Sequence, residues 1–495
     1  MRNSNPAIAL AAVIAVAAAP AGAAPSSGPE PRLPDRVTLV YAADVGGYLE
    51  PCGCSEDQRG GLARAATVLA RIRAEGTPTF FVAGGDLLFE LPPDAEAHDQ
   101  DVLRARTLGA VMRRLGLAAA VAGERDLFLG ERFARSTGIP FTDGTVLGGQ
   151  VGFGSLGKVP SAPVRVAVVH AGGTRAALDR ADEARRAGLA LLLAAHRERL
   201  IDDDQDRAVL EAPVPVVQVA GRGQSLARID LWLRGDLSRP FEVLRGASQR
   251  DEELALVAER RAAYADRLAR ARAAGQAPLA AALEAKLREL DARERELRAA
   301  ALPEAPPDRP ALRVSFVPLT KDIPEDPAVR GVIDAHYREV AAVNLARARS
   351  RGEVCPPPAK GVSSYVGAGA SKGACRACHP DAQSHWQTTA HSAAYETLVR
   401  VGRQFDLACV RCHVTGWKEP GGACGVAQVA GREAVQCEAC HGPASAHVRD
   451  PPGHIAREVP ATRCRACHTP EASVRFDPAR YRALILGPGH GQPSK

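Results

Sequence analysis

The chain has 495 residues, of which 46% are hydrophobic, 4% aromatic and 24% charged, with a formal net charge of +6. That length accommodates two or three domains, and that apolar content can fill their cores, which argues against a disordered chain or a single small module. The modest positive balance carries no inference of nucleic-acid binding.

In chain order, Arg2 precedes an apolar, alanine-rich run from Ala7 to Ala19, and Ala21-Gly22-Ala23 offers a small-residue cleavage site. Residues 1–23 therefore read as a secretory signal peptide, and 24–35, with four prolines, as a tether. No cysteine follows the run, so a lipid anchor is not expected. No later stretch has the length and apolarity of a membrane span.

From Arg36 the pattern becomes regular. Apolar runs at Val37–Ala42, Pro78–Ala83, Leu117–Ala122, Pro163–Val169, Leu189–Ala194, Val214–Ala220 and Ala227–Leu233 predict strands. Gly60–Ala74, Gln100–Leu115 and Thr174–Ala187 predict helices. Strands alternating with helices predict a layered α/β domain over 36–249. Polar residues recur just past the strand ends: Asp44, then Gly84-Gly85-Asp86, Gly123-Glu124-Arg125-Asp126, His170 and His196. Open α/β sheets bind ligands at those ends. Leu49-Glu-Pro-Cys52-Gly-Cys54 follows Asp44 in a glycine-rich loop, which would set two thiols facing the same cleft. They are expected to form a disulfide or to serve a soft metal or a redox relay.

Residues 250–310 are rich in Ala, Glu, Arg and Leu and predict two long helices broken near Gly275–Pro278 and packed as a hairpin. Residues 311–350 supply a strand, Ala311–Val317, and a helix, Pro327–Ala346, that packs back on the α/β domain. A proline- and glycine-rich linker spans 351–363. Cys52, Cys54, Cys355 and Cys424 are the cysteines outside the motifs described next, and they allow three pairings.

Residues 364–495 carry Cys-x-x-Cys-His four times: Cys375/Cys378/His379, Cys409/Cys412/His413, Cys437/Cys440/His441 and Cys464/Cys467/His468. Each spacing suits one c-type haem, whose two vinyl groups form thioethers with the thiols while the histidine reaches the iron from the same turn. Four covalent haems are expected. Their propionates would offset much of the formal positive charge. The motifs begin 34, 28 and 27 residues apart, too close for each to own a core. The domain is therefore expected to be mainly helical and loop-rich, and to fold only with its haems, which form most of its core. His391, His447, His490 and His385 are candidate sixth ligands, with His454 behind them. Any iron left without one could bind a small molecule. Trp386 and Trp417 are expected to pack on haem faces or edges.

These residues carry two resemblances. Tyr365-Val-Gly-Ala-Gly-Ala-Ser-Lys-Gly-Ala-Cys375, Trp386, His391, Gly416-Trp417, Val435-Gln-Cys437-Glu-Ala-Cys440-His441-Gly-Pro and the late His490 make the C-terminal part similar to the tetrahaem cytochromes c typified by the electron carrier of ammonia-oxidising bacteria. That resemblance implies electron transfer at the periplasm or extracellular face of a bacterium. It also implies a redox protein as donor or acceptor, other multihaem cytochromes among them. Val216-Val-Gln-Val-Ala-Gly221-Arg-Gly-Gln-Ser-Leu-Ala-Arg-Ile-Asp230 makes the first domain resemble the metallophosphoesterase domain of periplasmic 5'-nucleotidases. Those enzymes hold two metals that clamp phosphate and activate water.

Here Asp44 and Asp86 are kept. Gly46, Glu124 and Arg125 stand where the family has His, Asn and His, and Glu198 stands in place of a histidine. A cationic arginine is wrong for a dimetal centre. Asp44, Asp86, Glu124, His170, His196, Glu198, Cys52 and Cys54 remain candidates for one altered metal site, with a metal-free binding scaffold as the other reading. The expected protein is an exported tetrahaem cytochrome with a non-hydrolytic, phosphoesterase-like domain. The alternatives are an oxidoreductase acting at an open haem or at the Cys52/Cys54 cleft, and a metal-dependent phosphoesterase with a haem tail.

Overall fold

Alternation along the strands decides how the first 350 residues pack. In the strand Arg36–Ala42, Val37, Leu39 and Tyr41 face one way while Val40 and Ala42 face the other, and all five are buried. Val164–His170 divides the same way, with Val166 and Val168 on one face and Ala167 and Val169 on the opposite one. A strand apolar on both faces has to be covered on both. The computed structural model describes residues 34–52, 58–93, 95–170, 172–195, 206–367, 375–451, 453–469, 472–473, 476–487 and 489–490, and it covers both strands in this manner.

Two six-stranded mixed sheets pack face to face. In spatial order the first runs Glu242–Val243, Ala311–Pro318, Ser225–Trp232, Arg36–Ala42, Thr79–Ala83 and Leu117–Ala120. The second runs Arg207–Val209, Val216–Gln218, Leu191–Ala195, Val164–His170, Val151–Ser155 and Gly144–Leu147. Val37, Leu39 and Tyr41 meet Val166, Val168, Leu191 and Leu193 between the sheets. The helices Leu62–Ala74 and His98–Arg114 cover the outer face of the first sheet, and Gly173–Asp179 and Ala181–Arg186 cover that of the second. The layering is helices, sheet, sheet, helices.

The single helix expected over Thr174–Ala187 is broken at Arg180. The hairpin Gly144–Leu147/Val151–Ser155 was not legible, because its glycines dilute the apolar pattern.

Arg36–Ala42, Thr79–Ala83 and Leu117–Ala120 are mutually parallel, so Asp44, Asp86 and the loop from Gly123 to Asp126 emerge at one edge. His170, at the end of a strand in the facing sheet, joins them there.

The helices Ala247–Ala273 and Ala277–Ala299 form an antiparallel hairpin around Leu268, Ala271, Ala280 and Leu283, turning at Gly275 with Pro278 in the first turn of the second helix. The long helix Pro327–Arg351 is N-capped by Asp326, which accepts from Val329 N, and lies on Leu62–Ala74 and His98–Arg114. Among the described residues no helix is long and apolar enough to cross a membrane. Residues 1–33, which include the expected signal peptide and most of the tether, lie outside the described residues.

Beyond Arg351 the helices shorten to between five and eight residues, and loops make up the rest. So little apolar surface is buried by such pieces that covalent links and cofactors have to order them. One link is the disulfide Cys355–Cys424, which ties the segment after the long helix to the loop following Trp417. The two parts meet through buried polar groups. Gln100 Nε2 donates to Asp406 Oδ1 at 2.6 Å, and Asn344 Nδ2 donates to Gln100 Oε1 at 2.7 Å and to Phe405 O at 2.8 Å. Asp406 also N-caps the helix Leu407–His413 through Ala408 N.

His336 is buried beside this junction, with Nδ1 3.1 Å from Thr107 Oγ1. Burial pushes its pKa down to about 4, against the pull of the Asp406 carboxylate. The unfolded chain takes up this proton near the ordinary value of about 6.5. Stability is therefore lost as pH falls from about 6.5 towards 4, on the order of 3 kcal/mol in full. Urea midpoints at pH 7 and pH 4.5 should converge in His336→Gln relative to the parent. An unchanged difference would rule His336 out as its source.

Candidate functional site

Three of the four motif histidines stand opposite a second imidazole. The ring centroids are 6.2 Å apart for His379 and His447, 6.2 Å for His468 and His391, and 6.1 Å for His441 and His490. A metal–imidazole bond is about 2.0–2.1 Å, and the ring centre lies roughly 1.1 Å behind the ligating nitrogen. Two imidazoles on one metal axis therefore set their centres about 6.3 Å apart, so the spacing fits a shared iron.

The ring orientation agrees. Nδ1 lies 2.6 Å from Ala394 O in His413, 2.7 Å from Ala456 O in His441 and 2.9 Å from Gly453 O in His447. A carbonyl only accepts, so in each case Nδ1 carries the proton and Nε2 keeps the lone pair a metal needs. His468 Nδ1 lies 2.9 Å from Ser473 Oγ, and its ring stacks on Phe476 at 4.3 Å. Burial, and then the neighbouring imidazole, hold His391 and His490 below the ordinary histidine range, and burial does the same for His468. That favours the neutral, ligating form. The residues present fit c-type haem.

His413 differs. Among the described residues no imidazole faces it. His385 packs on Gly487, where an added Cβ would sit 2.4 Å from its Nδ1, and faces no motif histidine among the described residues. His454 lies at the surface, 3.5 Å from Asp450. The motifs lie close together: Cys375 is beside Cys437, and Cys412 is beside Cys467. Of the cysteines whose side chains are described, those not in the disulfide are the eight motif thiols. Trp386 donates through Nε1 to Val435 O at 2.8 Å, two residues before Cys437, which anchors its indole beside the third motif.

Cys378 differs from the other motif thiols: those seven are half-buried, and Cys378 is exposed. The backbone gives the reason. The second and third motifs lie in the helices Leu407–His413 and Cys437–His441, whereas Cys375–Cys378 form an isolated turn closed by His379 N to Cys375 O at 2.8 Å. Pro380 opens the next helix, and a residue before proline is driven out of helical backbone, so the turn cannot run on into Pro380–Trp386. Cys378 is left at the surface.

Inside the third motif, Glu438 is buried and accepts from the backbone N–H groups of Val366, Gly367 and Ala444. It ties the start of the haem region to its middle. Sequence reasoning missed this role, although a glutamate between two motif cysteines was its visible sign. The Nδ1 acceptors are mostly backbone carbonyls and leave no sign in sequence.

In the cleft, Asp44, Asp86 and His170 bring one ligand atom each within 4.8 Å of one another. Both aspartates hold left-handed backbone, at φ 50° and 49°, a conformation that costs energy in residues other than glycine. Asp86 is fully buried; its Oδ1 accepts from Arg125 N at 2.9 Å and lies 3.5 Å from His170 Nε2, and Arg125 Nε stands 3.4 Å from Oδ2. Asp126 braces the site from behind, accepting from Leu87 N, Leu88 N and Gly123 N. Burial disfavours the His170 imidazolium, yet its hydrogen bond to Asp86, with Asp44 and Asp126 nearby, raises its pKa above the ordinary range.

Gly123 is required here: a Cβ would lie 2.2 Å from Asp86 Oδ1 and 2.3 Å from His170 Nε2. Gly46, where the family has a histidine, has φ +62°. Glu124 is exposed and stands outside the three-residue cluster. His196, Glu198 and Cys54 lie outside the described residues, and of Cys52 only the backbone, paired with Arg59, is described. Two carboxylates and one histidine suit a single divalent cation, but the guanidinium beside Asp86 already meets part of its charge.

Residues 374–442 match the family of cytochrome c554 and c-prime. The match takes in the first three motifs, and the fourth lies beyond it. No curated protein matches the chain. Among solved structures, a 5'-nucleotidase precursor from Thermus thermophilus is similar at 14% identity and a TM-score of 0.33, over 62% of this chain and 59% of that one. The sulfate thiohydrolase SoxB of Thermus thermophilus is similar at 13% identity and a TM-score of 0.36, over 67% and 63%. The calcineurin-like phosphoesterase YfkN of Bacillus subtilis is similar at 14% identity and a TM-score of 0.26, over 40% and 84%. The chain thus spans about three fifths of the length of the first two. It has cytochrome character in its C-terminal region, with multiple c-type haem sites.

Proposed function

We propose that this chain is an exported electron-transfer protein carrying four c-type haems, three of them ligated by histidine pairs, and that its phosphoesterase-like part binds a partner or substrate without hydrolysing phosphoesters. The observation that carries this reading is the spacing of 6.1–6.2 Å between His379 and His447, His468 and His391, and His441 and His490. Bound haem supplies a one-electron iron couple. The paired imidazoles would hold the iron at three of the sites with two histidines each, which would suit one-electron transfer without ligand exchange. The close approach of Cys375 to Cys437 and of Cys412 to Cys467 supports hopping between neighbours.

Intact mass should exceed that of the processed polypeptide by four haem masses; a fully matured preparation with three or fewer would sink the count. Hydrolysis of nucleotides and phosphomonoesters, with manganese, zinc or calcium added, should stay at background, because Arg125 and Gly46 replace ligands and Asp86 is paired with a cation. Turnover that disappears in Asp86→Ala would overturn the non-hydrolytic reading.

His413, without an imidazole facing it among the described residues, favours a second reading: an oxidoreductase that takes a small molecule at the haem of Cys409–His413. Carbon monoxide titrated against the fully reduced protein should then bind one haem in four. Binding to none would remove this second reading.

A further inference from the structure

The second haem motif is docked on the α/β unit, and the contact is ionic as well as hydrogen-bonded. Glu50 closes the loop that begins at Asp44. That loop is pinned by Asp44 N to Gly85 O, Gly46 N to Asp86 O and Gly47 N to Leu87 O, at 2.7–3.0 Å. The Glu50 carboxylate is buried and pairs with both Arg330 and Arg403. Arg403, largely withdrawn from water, lies over the Tyr337 ring, 4.6 Å from its centre. Its carbonyl accepts from Asp406 N at 3.0 Å, and Asp406 O accepts from Cys409 N at 3.0 Å, so two successive turns link Arg403 to the first cysteine of the motif. Arg403 thus shares the junction with Asp406, which caps the helix that carries the motif.

We propose that Glu50 and Arg403 set the reduction potential of the haem at Cys409–His413, so that the α/β unit tunes one haem of the four across the junction. The inference rests on the haem reading above. Charges held out of water interact over longer range than solvated ones. Oxidised haem carries one more positive charge than reduced haem. A cation beside it therefore favours reduction, and an anion opposes it. Glu50 has a second counter-charge: Arg330, which also pairs with Asp334 at 2.7 Å, stays beside it if Arg403 is removed. Substituting Arg403 therefore leaves Glu50 compensated.

The experiment is a spectroscopic redox titration of the full-length, haem-loaded protein, following the high-spin haem separately from the low-spin ones. Glu50→Gln should move the high-spin haem to higher potential and Arg403→Gln to lower potential. Arg403→Lys should keep the native value, and the low-spin haems should stay in place throughout. A role confined to holding the junction together would move both glutamine variants the same way, or neither, and either result overturns the proposal. Should Glu50→Gln fail to load haem, the contrast between Arg403→Gln and Arg403→Lys still decides. A native protein without a high-spin haem would instead refute the reading of His413. A high-spin haem indifferent to both charges would refute this inference alone.

Discussion

Replacing His447 with alanine is expected to convert one haem from low to high spin and leave the others unchanged. The ring of His447 faces His379 at 6.2 Å, with the two planes 23° apart, and its Nδ1 proton is committed to Gly453 O. Without it, the iron proposed for the first motif would be held by His379 alone. His391→Ala should do the same at the fourth motif and His490→Ala at the third. Each variant should therefore remove a different low-spin signal in electron paramagnetic resonance, and a double variant should remove two. Unchanged spectra in His391→Ala and His447→Ala would show both ligand assignments to be wrong.

Asp406→Ala carries the largest expected cost in stability. The side chain caps the helix Leu407–His413 through Ala408 N at 2.8 Å and accepts from the buried Gln100 amide at 2.6 Å. Loss of an N-cap costs about 1 kcal/mol, and leaving a buried amide donor unsatisfied costs about 1–3 kcal/mol. The sum, about 2–4 kcal/mol, falls on the junction between the α/β unit and the second motif. Asp406→Asn keeps an acceptor for both donors and should lose less than half as much. Denaturant unfolding and hydrogen exchange across Leu407–His413 check this. A difference under about 0.5 kcal/mol for the alanine variant would mean that water replaces the carboxylate without penalty.

Much of this arrangement could be read from local pattern. Apolar runs in the α/β part fell on observed strands because parallel strands covered on both faces need near-continuous apolar sequence. The break between the paired long helices lay at Gly275 and Pro278, residues that end and start helices for steric reasons. The Cys-x-x-Cys-His motifs were legible because haem attachment fixes five consecutive residues. How deeply each thiol sits was not, since Cys378 and its counterparts share one motif and differ only in the backbone around them.

What stayed hidden was pairing across distance. His391 follows the first motif by twelve residues, yet it faces the fourth motif's His468. Nothing in spacing favours Cys355 for Cys424 over the other pairings of four cysteines, and the tertiary course of the chain decides it. Gln100, Asn344 and Asp406 carry no sign of their burial in the sequence, because burial at a junction is a property of both partners and neither segment shows it alone. Arg125 was read as hostile to a dimetal centre or as the partner of Asp86, and the structure has it pairing with Asp86.

The three histidine pairs have a further consequence when drawn as chords on the linear chain. The chords His379–His447, His391–His468 and His441–His490 all cross one another, and none nests inside another. Nested chords would allow an inner lobe to close first and an outer one to wrap it. Crossing chords do not, since every span bounded by one pair contains a single end of each of the others. A chain ending after His447 would complete one pair, and a chain ending after His468 only two. The C-terminal region is thus woven rather than stacked: no shorter fragment of it is self-contained, and its last stretch, which brings His490, locks a weave begun at His379.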